Sequence, residues 1–302
     1  MKLRFIAPLL IGLFGFLGTR GALAGDDKAV QPPPAPLPVS AAVPLWTVDL
    51  QGDYTLGSRF RWYNGLGSQA EYHYRLDAVR RINFADGWYF RVGPDLERFD
   101  FSRSNAALPY SLNQVAADVG VEYWSKGRLG FQLRLEPGAY FTRDHVTDNS
   151  FDIPVTVGVG YPLRPSLDLV VGLRASILDE YPVLPGGGLI WRATDRLKVE
   201  AVFPRPNISY KLSDSTQVFA GGELLGGAFR NGPTNDRRTN NAVLEYREYR
   251  AGAGVSFNPI RSVSASLHAG WSFEREFDYF HSGPSFRTKG APYVELNLRL
   301  EL

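Results

Sequence analysis

The 302-residue chain has no cysteine, one methionine and only four histidines. Without cysteine there are neither disulfides nor thiolate metal sites. No two histidines have metal-ligand spacing, no acidic loop carries Ca²⁺-loop spacing, and no Gly-rich phosphate loop leads into a helix. No cofactor and no metal are expected. After the first two dozen residues no apolar run is long enough for a spanning helix, which excludes an inner-membrane helix bundle. A strong charge of one sign is also missing. A net charge of +2 gives no reason to expect a nucleic-acid partner.

What is present begins with Lys2 and Arg4 ahead of the apolar run Phe5–Leu17, followed by Ala22-Leu23-Ala24. The run is too short for a spanning helix and contains Gly12, Gly15 and Gly18. It reads as a secretory signal peptide over residues 1–24. Residues 25–44 carry Pro32, Pro33, Pro34, Pro36 and Pro38, which favour an extended chain without a core. This is the expected periplasmic spacer, with a Pro-directed partner contact as the alternative. Residues 45–302 form the third unit.

In that unit apolar residues recur at every second position. Leu167, Leu169, Val171, Leu173, Ala175 and Ile177 share one face, opposite Asp168, Gly172, Arg174 and Ser176. Val263, Ala265, Leu267, Ala269, Trp271 and Phe273 oppose Ser264, Ser266, His268, Gly270 and Ser272. Leu129–Phe141 repeats the pattern, with Gln132, Arg134, Glu136 and Tyr140 on the polar face. Period two over this length defines strands. Each is long enough to cross a bilayer when tilted, which takes about 9–11 residues.

Short turn signals at Ala85-Asp86-Gly87, Ser125-Lys126-Gly127, Leu163-Arg164-Pro165, Ala193-Thr194-Asp195, Ser213-Asp214-Ser215 and Asn258-Pro259-Ile260 alternate with longer polar joins. The joins lie near Arg103–Tyr110, Arg143–Ser150, Asp179–Pro185, Arg230–Asn241 and Glu276–Lys289. This predicts an all-β, antiparallel up-and-down barrel of about 14 strands, with 12 or 16 as alternatives. The weakest region is Leu189–Leu212, where the strands are short and Phe203-Pro204-Arg205-Pro206 is a very tight outer join. Trp46, Trp88, Tyr123, Trp124, Tyr161, Trp191, Tyr210 and Phe257 cluster beside the short turns, as an interfacial aromatic girdle does.

The last strand alternates Val294, Leu296, Leu298, Leu300 and Leu302 with Tyr293, Glu295, Asn297, Arg299 and Glu301. Together with the signal peptide and the repeated strands, it resembles the bacterial outer-membrane β-barrel proteins. The stretch from Leu184-Pro185-Gly186-Gly187-Gly188 through Phe203-Pro204-Arg205-Pro206 to Tyr210 is similar to a family of porin-like barrels without known function. The resemblance implies a transmembrane barrel in the bacterial outer membrane, surrounded by lipid and lipopolysaccharide. It also implies recognition of the final strand by the barrel-assembly machinery. Leu302 departs from the usual terminal aromatic. No catalytic residue is implied, and oligomeric state is not read from the sequence.

If the apolar faces meet lipid, the lumen is lined by Arg75, Asp77, Arg91, Asp95, Asp118, Glu122, Arg134, Glu136, Asp168, Arg174, Glu200, Glu223, Arg250, His268, Glu295 and Arg299, joined by Asp49, Asp53, His73, Glu97 and Glu274. Unpaired charges in a confined space are costly, so ion-pair networks are expected. Carboxylates outnumber basic groups, which points at most to a weak cation preference. Gly158, Gly160, Gly172, Gly221, Gly252 and Gly254 fall mainly on the inner face, where relief of crowding is preferred to pore widening.

Three functions stand open: a passive porin-like channel for small hydrophilic solutes, a closed structural or surface-interaction barrel, and an outer-membrane lipid hydrolase. The last has little to build on. His281 sits beside Ser282 and His145 follows Asp144, but neighbours on a strand point to opposite faces. The loop Asn231–Asn241, with Arg237 and Arg238, is a candidate contact for lipopolysaccharide phosphates. A soluble periplasmic β-sandwich is the alternative architecture, disfavoured because so many apolar faces carry no charge.

Overall fold

The structure is a computed structural model that describes residues 43–62, 65–124, 130–143, 145–260, 262–281 and 283–302. The signal peptide, nearly all of the spacer, the Ser125-Lys126-Gly127 turn, Asp144 and Ser282 lie outside them. Seventeen strands follow in order: β1 (Trp46–Arg59), β2 (Ser68–Ala85), β3 (Trp88–Phe101), β4 (Ser111–Tyr123), β5 (Gly130–Leu135), β6 (Gly138–Thr142), β7 (Phe151–Asp152), β8 (Val155–Arg164), β9 (Leu167–Ala175), β10 (Val183–Arg192), β11 (Leu197–Phe203), β12 (Asn207–Lys211), β13 (Thr216–Arg230), β14 (Val243–Ile260), β15 (Val263–Asp278), β16 (Ser285–Arg287) and β17 (Ala291–Glu301). One short 3₁₀ turn, Asp148–Ser150, precedes β7.

These segments form fourteen staves. β5 and β6 are one stave broken at Glu136-Pro137, since both pair with β4. β7 and β8 are one stave broken at Ile153-Pro154, and β16 and β17 both pair with β15. Proline cannot donate a ladder hydrogen bond, which accounts for the first two breaks. The sheet closes where β1 meets β17, from Thr47↔Glu301 to Thr55↔Tyr293. Two hydrogen bonds between Trp46 and Leu302 seal the end of that seam. Closure pairs the first strand with the last, the condition for strands in lipid.

Register assigns the faces. Val294, Leu296, Leu298 and Leu300 on β17, and Leu302 after it, are exposed outward. Leu267, Trp271 and Phe273 on β15 and Val171 and Leu173 on β9 are exposed likewise. Trp46, Trp124, Tyr161, Trp191, Tyr210 and Phe257 are exposed near the turn side. Trp88 packs on Tyr123 at 4.9 Å, and Arg80 lies over the Trp46 ring.

The chemistry of the two faces inverts in the outer part of the long strands. On β3, outward Phe90, Val92 and Leu96 give way to Arg98 and Asp100, while Phe99 and Phe101 point in. On β14 the same exchange occurs at Leu244-Glu245-Tyr246-Arg247, and on β15 at Glu276-Phe277-Asp278. The strands therefore rise out of the lipid there and enclose an apolar core of Phe99, Leu112, Phe229, Leu244, Tyr246 and Phe277. Tyr246 lies 5.1 Å from Phe99 and 4.9 Å from Phe277. Burying each such side chain contributes about 1.5–3 kcal/mol.

Three expectations are corrected by the strand limits and register. Glu276–Lys289 is not a loop throughout, because Glu276–Asp278 belongs to β15 and Ser285–Arg287 forms β16. A register shift beside Tyr249 then carries Glu274 out of the lumen. It faces Arg61 and Arg287 on the outer side, while its neighbour Arg275 is buried inside against Glu71. The Asn258-Pro259-Ile260 turn also sits later, since β14 continues to Ile260.

The staves from β9 to β12 are the shortest of the barrel. β11 and β12 have 7 and 5 residues. Above them β6 lies directly beside β13 in parallel, at Phe141↔Arg230.

Candidate functional site

The inner faces carry a continuous chain of ion pairs. Arg205, in the β11–β12 join, contacts Glu223 on β13 at 2.6 Å. Glu223 accepts from Arg250 on β14 at 2.8 Å, and Arg250 reaches Asp53 on β1 at 3.2 Å and Glu295 on β17 at 2.8 Å. Asp53 lies 2.6 Å from His73 Nδ1, and Glu97 lies 2.9 Å from His73 Nε2. Arg75 bridges Glu97 and Asp95. Arg134 joins Asp95, Asp77, Asp118 and Glu136 within 3.1 Å. Arg91 carries the chain to Asp118 and Glu122, and Glu136 passes it to Arg174 on β9 at 2.6 Å.

Each of these arginines pairs with carboxylates from neighbouring staves, whereas Glu248 on β14, also buried, accepts from the Thr55 and Tyr246 hydroxyls instead. The belt runs from Arg174 on β9 round to Arg205 and is interrupted at the short staves. Its two end members are also its most exposed arginines. Their side chains are 39% and 54% exposed, against 0–23% for Arg75, Arg91, Arg134 and Arg250.

Of the other candidates, Asp168 pairs with Arg192, Glu200 with Lys198, and Arg299 with Glu301. These sit on inner faces outside the belt. His268 lies 3.8 Å from Glu295 and beside Tyr293. His73 is held between two carboxylates and stacks on Phe99 at 4.3 Å, a packing role with no nucleophile against either nitrogen. Among the described residues no group of three metal-ligating side chains occurs.

Beneath the aromatic core lies a cavity of about 480 Å³. Asp49, Asp77, Glu97 and Glu136 line it together with Arg75, Arg134, Arg174, Arg205 and Arg299. In this lining set basic groups outnumber carboxylates, the reverse of the balance over all inner faces. The cavity also touches Pro204, Leu224, Leu225 and Gly226. Sequence reasoning missed this apolar side and the aromatic seal. The inverted alternation at Arg98–Phe101 and Leu244–Arg247 was the signal that could have found the seal.

The inner-face glycines divide. A Cβ on Gly252 would stand 2.4 Å from the Ala269 carbonyl oxygen, and one on Gly221 2.5 Å from that of Pro206. Gly172 and Gly254 are similarly crowded, whereas Gly158 and Gly160 face open space. Close approach of neighbouring staves explains four of the six.

A closed antiparallel barrel with a lipid-compatible outside and a charged inside is the architecture of an outer-membrane β-barrel protein. No protein-family model and no curated protein matches the chain. Among solved structures it is similar to an outer membrane channel from Pseudomonas putida F1, at 12% identity and TM-score 0.46, covering 87% of this chain and 97% of that one. It is also similar to a Pseudomonas aeruginosa FadL homologue, at 10% identity and TM-score 0.45, covering 85% and 90%. A third is the NanC porin, at 9% identity and TM-score 0.38, covering 84% and 100%.

Proposed function

We propose that the chain is a channel of the bacterial outer membrane that passes small solutes bearing polar groups, passively and without chemistry. The observation that carries this reading is the charged cavity inside a closed barrel. Its volume suits a molecule of metabolite size. Paired charges along the wall offer hydrogen bonds at every level, so a hydrophilic solute moves without losing its partners all at once. In the same reading the leader delivers the chain to the periplasm and the assembly machinery engages β17. Lipopolysaccharide surrounds the outer rim, where Arg98, Arg247 and Arg287 face outward.

A second reading, a closed structural barrel, is favoured by the aromatic core that fills the outer end. Recordings on purified protein in planar bilayers separate the two. The channel reading expects discrete conductance steps with near-neutral ion selectivity. A silent bilayer across salts and voltages, with folded protein present, removes it in favour of the closed barrel.

A further inference from the structure

We infer that the cavity opens sideways, through a notch above the β11–β12 hairpin, and that it takes amphipathic molecules with an anionic head from the outer leaflet. This rests on the channel reading and assigns its route and its class of solute.

The notch follows from strand length. A tilted strand needs about 9–11 residues to cross the hydrocarbon. β11 and β12 have 7 and 5, while β13 and β14 on one side have 15 and 18. The barrel wall is therefore incomplete at that stave pair. The gap is roofed where β6 meets β13 and where the β9–β10 join crosses over. In that join Leu178 is buried, Ser176 donates to Asp152 at 2.7 Å, and Glu180 reaches the outward-facing Arg247 at 2.9 Å.

The cavity reaches the margin of this gap. Asp49, Arg75 and Arg299 on its wall point into the barrel. Pro204, Arg205, Leu224, Leu225 and Gly226 on the same wall belong to the hairpin tip and to the stretch of β13 beside and beyond it. The space therefore meets the sheet where the Pro204-Arg205 tip ends and β13 runs on alone. The Leu224 amide donates to the Pro204 carbonyl, which sets the tip against β13. Straight outward, the aromatic core blocks the lumen.

The chemistry at the notch is two-sided. Arg174 and Arg205, the exposed ends of the ion-pair belt, stand at its inner margin. Phe203 is exposed on the lipid face of β11, and Ile177 is exposed just past the end of β9. An anionic head satisfies the guanidiniums while its tail stays in apolar surroundings.

The test uses the full barrel in lipid nanodiscs with 11-(dansylamino)undecanoate as probe, read by dansyl fluorescence. Saturable binding is expected. Arg174→Glu and Arg205→Glu should each weaken it about tenfold, the scale of one charge-assisted contact, and Leu224→Trp should block it. The probe's amine-headed analogue should bind at least about tenfold more weakly for the same reason. Arg196→Glu, in a periplasmic turn, should bind as the wild type. Heat-modifiable gel mobility confirms that each variant is folded, and Arg205→Gln serves if a reversal is not. Ion conductance without probe binding overturns the notch and leaves the channel. Probe binding that survives both reversals in folded protein also overturns it. Probe binding dependent on the two arginines, in a barrel that conducts no ions, keeps the notch and removes the aqueous path.

Discussion

Arg250 is the junction most exposed to a single substitution. Its side chain is fully buried and touches three carboxylates, Asp53 at 3.2 Å and Glu223 and Glu295 at 2.8 Å, with Tyr293 stacked at 4.7 Å. In Arg250→Met, Asp53 keeps His73 and Glu223 keeps Arg205. Glu295 keeps only His268, at 3.8 Å. Removing one member of a buried ion cluster costs about 3–5 kcal/mol, because the remaining charge has lost its solvent and its partner. Most of that cost should fall on Glu295. Guanidinium unfolding in detergent, followed by tryptophan fluorescence, should show the loss in Arg250→Met. Arg250→Met with Glu295→Gln should recover about 2 kcal/mol of it, a coupling of the size seen for residues in contact. Arg250→Lys should fall between, since one ammonium cannot span the fork. If Arg250→Met unfolds within about 1 kcal/mol of wild type, or if the Glu295→Gln effect is merely additive, the belt does not hold the barrel as described.

Other outcomes follow from other parts of the wall. Phe99→Ala with Phe229→Ala should thin the outer seal at about 3–5 kcal/mol each and raise single-channel conductance. Gly252→Val should abolish the heat-modifiable folded band, whereas Gly158→Ala, which meets nothing within 4 Å, should leave it intact. Leu267→Arg, on the exposed lipid face of β15, should cost about 2–4 kcal/mol of unfolding free energy. Asp179, in the β9–β10 join, is held above its ordinary value of 3.8, chiefly by burial. A carboxyl raised by folding favours the native state below its unfolded value and loses that contribution as pH rises through the folded one. Asp179→Asn should therefore raise the thermal midpoint near pH 7 and match the wild type below 3.8.

Alternation made most of the wall legible. Wherever a strand crosses lipid, the two faces meet media so different that nearly every position is constrained, as in Val263–Phe273 and the closing strand. The same parity sets Arg134 and Arg250 on inner faces. Which carboxylate each arginine meets depends on stagger between staves, and no single strand encodes that. Period two also continues unbroken through Arg98–Phe101 with its chemistry exchanged, so a reading that tracks only alternation passes the membrane boundary unnoticed. Glu274 was misplaced for a related reason. One extra residue in β15 shifts every later side chain to the other face.

The short hairpin was the region where the strand count was least secure, and there the wall departs most from a regular barrel. Tight pairing of Phe203-Pro204-Arg205-Pro206 against β13 gives a stave pair its hydrogen bonds without giving it the height to cross. Lengthening that hairpin isolates the consequence. Two residues of alternating Ser and Val added to each of β11 and β12 would extend the ladder past Leu224, toward Gly226. Such a barrel should keep its ion conductance and lose its response to an anionic amphiphile, because the wall would then separate Arg174 and Arg205 from the lipid. If the lengthened protein still bound the probe, access would have to come along the axis, past the aromatic core.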